Sequence, residues 1–290
     1  MKNKYGILII ATAAVLIISA VVILIVSQTK GNIKTSPSSN HSSDGGIVSI
    51  TQKPTLKEKA TEAIVTEAPT EAPTEPPTEP PTEPPVQITA PESMEYLLGL
   101  NGSDIDTLDG YGCRQLVTVS SSGSSAEISF YYLEENEWKK DESLSCSGYV
   151  GRNGITGNMH EGSYSSPAGL YHVGDAFYIY SAPQTGLNIF MITQDTYWVD
   201  DPDSAYYNRR VEGTANKDWN SAEHMIDYTT AYEYGFVIDY NTAAVYNAGS
   251  AIFFHVSYNP TAGCVGTDRG NVLSYLAALD ASKNPYILLV

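Results

Sequence analysis

The chain has 290 residues, with 33 Asp and Glu against 16 Lys and Arg, a net charge of −17. From Pro91 onward there are 25 acidic and nine basic residues, a net of −16 with no basic stripe. That excludes nucleic acid as an expected partner of this part, because phosphate contacts need clustered Lys and Arg, and it disfavours docking on an anionic membrane surface.

In chain order, Lys2 and Lys4 lead into Gly6 to Val26, an uncharged run of Ile, Leu, Val, Ala, Gly, Thr and Ser. At a rise of about 1.5 Å per residue this run spans roughly 30 Å, the thickness of a bilayer core. Residues 6–26 therefore read as a transmembrane signal anchor. Residues 1–5 would lie in the cytoplasm and the remainder outside the cell membrane, although Lys30 and Lys34 weaken the charge asymmetry. A cleaved signal peptide is the rival reading; its apolar region is usually shorter and ends at a small-x-small site, which Ser27-Gln28-Thr29-Lys30 does not supply.

Residues 27–91 form a disordered linker rich in Ser, Thr, Pro and Glu. Thr66 to Pro85 repeats T-E-A-P twice and T-E-P-P three times. Proline fixes φ and removes donors, so the repeat is expected as polyproline II, roughly 60 Å long at about 3.1 Å per residue. It reads as a semi-rigid spacer for a head held at a distance, or equally as a linker with no further meaning.

Residues 92–290 form the folded domain. Period-two patterning dominates, with a hairpin expected from Gln115–Ser120 and Ala126–Leu133 across residues 121–125. Further strands are expected at Leu144–Val150, Gly169–Val173, Tyr234–Tyr240, Ser250–Val256 and Tyr286–Val290. One helix follows Asp268, a plausible N-cap, with Val272, Leu273, Leu276, Ala277 and Leu279 on its apolar face. A weaker helix lies near Met94–Leu100. The expected class is mainly β, a β-sandwich or open barrel with one helix after Cys264.

Cys264 sits in Pro260-Thr-Ala-Gly-Cys-Val-Gly266, between the strand carrying His255 and the helix. A thiol in a glycine-flanked loop ahead of a helix N-terminus is expected to gain thiolate character from the dipole. His255 ends the apolar stretch Ala251-Ile-Phe-Phe-His255 and can serve as general base and then acid if the chain turns back through Asn259-Pro260. The Gly263 amide is a candidate oxyanion donor. Set beside this, a lone Cys is usually a small buried hydrophobe and a lone strand His a satisfied core residue. A zinc site from Cys264, His255 and His224 lacks a close ligand pair, so no metal and no cofactor is expected. Cys113 and Cys146 are candidates for a disulfide, which would leave Cys264 as the one reduced thiol outside the cell. Asp200, Asp201 and Asp203 form a calcium-like carboxylate cluster without the rest of a loop motif. Trp198, Tyr206 and Tyr207 read either as a sugar or peptide surface or as core and rim.

Seven segments in order carry a resemblance. They are Val150-Gly-Arg-Asn-Gly154; Glu161-Gly162 with Ser166-Pro-Ala-Gly169; Tyr197-Trp-Val-Asp-Asp-Pro-Asp-Ser204 with Tyr207-Asn208; Ser221-Ala-Glu-His224; Tyr234-Gly-Phe-Val-Ile-Asp-Tyr-Asn241; Gly249-Ser-Ala-Ile-Phe-Phe-His255; and Thr261-Ala-Gly-Cys-Val265. Over roughly Gln115–Leu289 the domain resembles the L,D-transpeptidase, or YkuD-like, catalytic family, in the branch with a strand His and a Thr-Ala-Gly-Cys-Val motif.

The resemblance implies a β-rich fold and cysteine acyl transfer on peptidoglycan stem peptides in the cell wall. The Cys264 thiolate would attack the bond after the third residue of a tetrapeptide, release D-Ala and hold the stem as a thioester. An amine would then give a 3→3 cross-link, whereas water would make the enzyme a carboxypeptidase; a domain without activity would be a wall-binding module. Carbapenems acylate the same cysteine in many members. By position Cys264 is the nucleophile and His255 its base. Glu161, Glu223, His224 and Arg269 are candidate substrate-binding residues. The better-known branch reads Ser-His-Gly-Cys-x-Arg; here Thr261-Ala262 replaces Ser-His, Gly266 stands in place of the Arg, and Arg269 is the candidate substitute. The usual charged pair of the upstream loop is absent from Glu161-Gly-Ser-Tyr-Ser-Ser-Pro-Ala-Gly169.

Overall fold

The computed structural model describes residues 87–290. The expected anchor at 6–26 and nearly all of the 27–91 linker lie outside the described residues. Among those described, no helix is long and apolar enough to cross a membrane.

Two short helices come first, α1 (Glu92–Leu100) and α2 (Ile105–Gly110). The Asp104 side chain accepts from the Thr107 amide and the Thr107 hydroxyl faces back, a capping box that accounts for the unanticipated α2. Then follow β1 (Gln115–Ser122), β2 (Ser125–Glu134) and β3 (Glu137–Tyr149). The β1–β2 turn is tighter than expected, because Ser122 pairs with Ser125 and Gly123 takes φ +62°. Strand β3 starts seven residues before its expected position. Its turn uses Glu135 and Asn136, both with positive φ, in place of the usual glycine, and its first half is charged.

The remaining long strands are β6 (Gly169–Tyr178), β11 (Tyr234–Ile238), β12 (Phe253–Val256), β13 (Val265–Thr267) and β14 (Tyr286–Leu289). Their order is β11-β12-β13-β3-β2-β1-β14-β6, and β6 pairs back onto β11. The sheet is thus a closed eight-stranded barrel, a correction to the sandwich or open barrel. Closure removes the free edges that an open sheet must protect. Strand β7 (Ile189–Met191) extends it beside β6. A separate sheet of β8 (Thr196–Val199), β9 (Arg209–Glu212) and β10 (Ala222–His224) and the pair β4 (Ile155–Thr156) and β5 (Ser166–Pro167) complete the β structure.

Helix α3 (Arg269–Ala278) begins where expected, with the Asp268 side chain accepting from the Gly270 and Asn271 amides. It packs Val272, Tyr275 and Leu276 into the main core with Phe236, Phe254 and Val256. On β1 and its neighbours the alternate residues Leu116, Tyr131 and Leu288 face the other way, against Met94, Leu98 and Leu108 of the N-terminal helices. Strand β12 is also buried on both faces: Phe254 and Val256 enter the main core, while Phe253 joins a second cluster with Trp198, Met225, Tyr232 and Cys264. Double-sided burial explains its unbroken apolar sequence.

Cys113 and Cys146 are free thiols in separate core clusters. Cys146 pairs with Ile128, which pairs with Val119, so Cys113 lies six residues down the barrel wall. At about 3.3 Å per residue that is roughly 20 Å, well beyond the reach of a disulfide. The expected pairing is therefore not formed.

Candidate active site

Strands β12 and β13 run parallel, with Phe254 opposite Val265 and His255 opposite Gly266. One step back along each strand places Cys264 beside Phe253. Side chains alternate faces, so Cys264, Phe253 and His255 share the face that points away from the main core. Cys264 and His255 both line a cavity of about 410 Å³. They are 8% and 7% exposed, so the pair is shielded but open to a cavity large enough for a peptide segment. Two other clefts, around His172 and Asp239 and along Ser120–Glu127, contain no cysteine.

The His255 Nδ1 lies 2.9 Å from the Val256 carbonyl. A carbonyl only accepts, so Nδ1 carries the hydrogen and Nε2 keeps its lone pair. Burial holds the imidazole pKa down to about 4, against the opposing hydrogen bond to the Val256 carbonyl. At neutral pH it is an uncharged base. The Tyr232 ring meets it edge to face, with centroids 5.4 Å apart.

The Cys264 thiol donates to the Ala251 carbonyl at 3.2 Å and accepts from the Phe253 amide at 3.3 Å. Burial pushes the thiol well above its ordinary value, the Glu223 charge adds to this, and the Phe253 amide opposes it. The resting sulfur is protonated. This corrects the expected helix-dipole activation: β13 separates Cys264 from the start of α3, and the dipole acts only within the first turn.

The loop carrying Cys264 is heavily braced. Thr261 Oγ1 donates to the Cys264 carbonyl at 2.6 Å and accepts from the Gly263 amide at 3.2 Å. The expected oxyanion donor, the Gly263 N–H, is thus already engaged. Buried Ser166 donates to the Gly263 carbonyl at 2.5 Å, lies 3.3 Å from that of Cys264, and accepts from Gly151 at 2.9 Å. At Gly266, where the better-known branch has Arg, a Cβ would collide with Ser257, so no side chain fits.

The candidate substrate-binding residues divide. Glu161 and Glu223 line the cavity, each held by a tyrosine: Tyr207 donates to Glu161 at 2.6 Å, and Tyr232 donates to Glu223. Burial pushes the Glu223 carboxyl up to about 7; the Tyr232 bond opposes this, and Asp200 and Glu161 add to it. His224 follows Glu223 on β10 and so faces away. It stacks on Tyr197 at 4.6 Å and bonds to Asp227 and to the Gln194 carbonyl. It is not part of the cavity, and the conceivable Cys264-His255-His224 zinc site does not assemble. Arg269 makes a bidentate ion pair with Glu233, at 2.9 to 3.0 Å, and leaves the site without its charge.

The acidic cluster also separates. Asp201 accepts from the Asp203 and Asn220 amides as a loop brace, whereas Asp200 lines the cavity. Among the described residues no group of three His, Cys, Asp or Glu is placed to hold a metal ion. Trp198 packs on Phe253 with centroids 4.9 Å apart and donates to Asn208, whose side-chain oxygen also accepts from Ala251. Trp198 and Tyr207 are therefore support, not rim. Ser166, Asn208 and Tyr232 escaped the sequence reading as site residues, and Asp200 entered it only as part of the calcium-like carboxylate cluster. Three of these four stand in the ordered segments, but nothing local marks Tyr232.

No family model matches the chain, and no curated protein matches it. Among solved structures, the chain is similar to the helical cell shape determining protein Pgp2 from Campylobacter jejuni, with 15% identity and a TM-score of 0.33, over 61% of this chain and 47% of that one. A lysine-to-alanine mutant of the same protein gives 14% identity and a TM-score of 0.32, over 61% of this chain and 46% of that one. The chain thus spans about half the length of the solved structures it matches, and so slight a likeness assigns it no activity.

Proposed function

We propose that the chain is a cysteine acyltransferase of the L,D-transpeptidase kind, acting on peptidoglycan stem peptides. The observation that carries this reading is the sharing of one shielded cavity by Cys264 and a neutral His255 whose tautomer is set by Val256. The ordered motif segments support it. In the reaction the thiol proton passes to His255 Nε2 as sulfur bonds to the carbonyl carbon. The imidazolium then protonates the departing D-Ala amine, leaving a thioester. An incoming amine attacks the thioester, gives its proton to His255, and the thiol re-forms as the amide product leaves. Sulfur must first turn from Ala251 toward the cavity. Residues 6–26 serve as a membrane anchor and the repeat as a spacer, which holds the domain in the wall.

The test is intact mass after a carbapenem, in wild type and Cys264→Ser. One adduct in the first and none in the second is expected. No adduct in wild type while Cys264 is demonstrably reduced sinks the reading. The donation of the thiol to Ala251 favours one rival, an inactive wall-binding module; that rival predicts muropeptide binding unaffected by Cys264→Ala. With disaccharide-tetrapeptide as substrate, dimer indicates an amine acceptor and tripeptide alone indicates water.

A further inference from the structure

The Cys264 cavity is lined by Glu161, Asp200 and Glu223 and by no Lys or Arg. Two of these carboxyls have tyrosine partners, as described above. Asp200 Oδ1 does not: it and Ser250 Oγ are the two buried side-chain atoms without a hydrogen-bond partner among the described residues. Both belong to residues lining this cavity, and Ser250 is only 8% exposed. Buried polar atoms are nearly always partnered, and the exceptions mark places completed by something else. Asp200 Oδ1 accepts only and Ser250 Oγ can accept as well as donate, so beside a group of carboxyls the pair suits a cation with hydrogens to donate. The carboxyls are not gathered closely enough to ligate a metal. An ammonium group suits the arrangement better, because its three N–H donors reach acceptors that stand apart.

We infer that Asp200 and Ser250, with Glu223 beside them, form a subsite for the primary ammonium group of a peptide side chain. Naming a stem peptide as its bearer rests on the acyl-transfer reading; the subsite itself rests on the unpartnered oxygens. It explains why a nucleophile cavity gathers negative charge that works against thiolate formation. The charge serves recognition.

The probe is a stem tetrapeptide with a free side-chain amine, compared with the same peptide acetylated on that amine. Binding is measured by calorimetry on the full chain carrying Cys264→Ala. The free amine should bind about tenfold tighter or more, the scale of a charge-assisted hydrogen bond. Asp200→Asn and Ser250→Ala should each shrink that ratio while leaving the acetylated peptide unaffected. A tripeptide, which can only accept, distinguishes an acceptor amine from one carried by the acyl donor. Equal binding of the two tetrapeptides, or no binding of either, overturns the subsite without recourse to any variant. The carbapenem adduct reads the parent proposal separately. An adduct without amine preference removes the subsite alone, and amine preference without an adduct removes the acyl transfer alone.

Discussion

Replacing Glu223 by Gln tests the electrostatics of the cavity most directly. The folded carboxyl titrates at about 7, against an ordinary value of 4.5, because burial and the Asp200 and Glu161 charges outweigh the Tyr232 hydrogen bond. Between those values the folded state keeps a proton that the unfolded chain has lost. The native state is thus favoured fully below 4.5, and the advantage is lost as pH rises through 7. Gln preserves the shape and the acceptor for Tyr232 but has nothing to ionise. The variant should match wild type in pH dependence below 4.5 and gain on it above 7. At about 1.4 kcal/mol per pH unit the interval corresponds to roughly 3 kcal/mol, and to about 2 kcal/mol after allowing for solvent reaching a partly exposed carboxyl. In a domain of this size that is a rise in Tm of roughly 4–8 °C at pH 8. Thermal unfolding by circular dichroism at pH 4.5, 6 and 8 measures it. A difference in Tm that is the same at all three values, or a wild type more stable at pH 8, refutes the account. Because Glu223 also raises the Cys264 thiol, the variant should alkylate faster with iodoacetamide at pH 8.

Other outcomes follow from the same geometry. With His255 held down to about 4 by burial, the acid limb of Cys264 acylation in the Glu223→Gln background should fall near pH 4; a limb at the ordinary histidine value of 6.5 would contradict a buried neutral imidazole. Ser166→Ala strips a buried hydroxyl from the Gly263 and Cys264 carbonyls and the Gly151 amide, and should cost about 1–3 kcal/mol in urea denaturation with a slower acylation rate. Unchanged stability and rate would mean that the loop does not need this brace. Thiol titration of the unreduced, denatured protein should find three free thiols; a count of one would show that Cys113 and Cys146 pair after all.

The strands and α3 were legible because their signals are local. Alternation in β1 and β2, the continuous apolar run of β12 on two buried faces, and Asp268 ahead of α3 each follow from short-range chemistry. The charged first half of β3 was not legible, since its strand character comes from pairing with β2. Neither were β8 to β10, which are short and take their stability from Trp198 and Met225 against Phe253.

At the site, residue types along the chain made Cys264 and His255 candidates beside the plainer reading of a buried thiol and a core histidine, and the resemblance of the ordered segments paired them: His255 lies near the end of an apolar strand and Cys264 in the loop that returns beside it. Everything about their electrostatic setting was decided by tertiary structure. A neutral imidazole, a protonated thiol, a Gly263 amide captured by Thr261, and Glu223 facing in while His224 faces out depend on burial and strand register. So does barrel closure, which joins β6 to β11 across some sixty residues of chain. Local sequence specifies which groups are present and how neighbours alternate; solvent exclusion and long-range partners, which set charge and hydrogen bonding, exist only once the chain has folded.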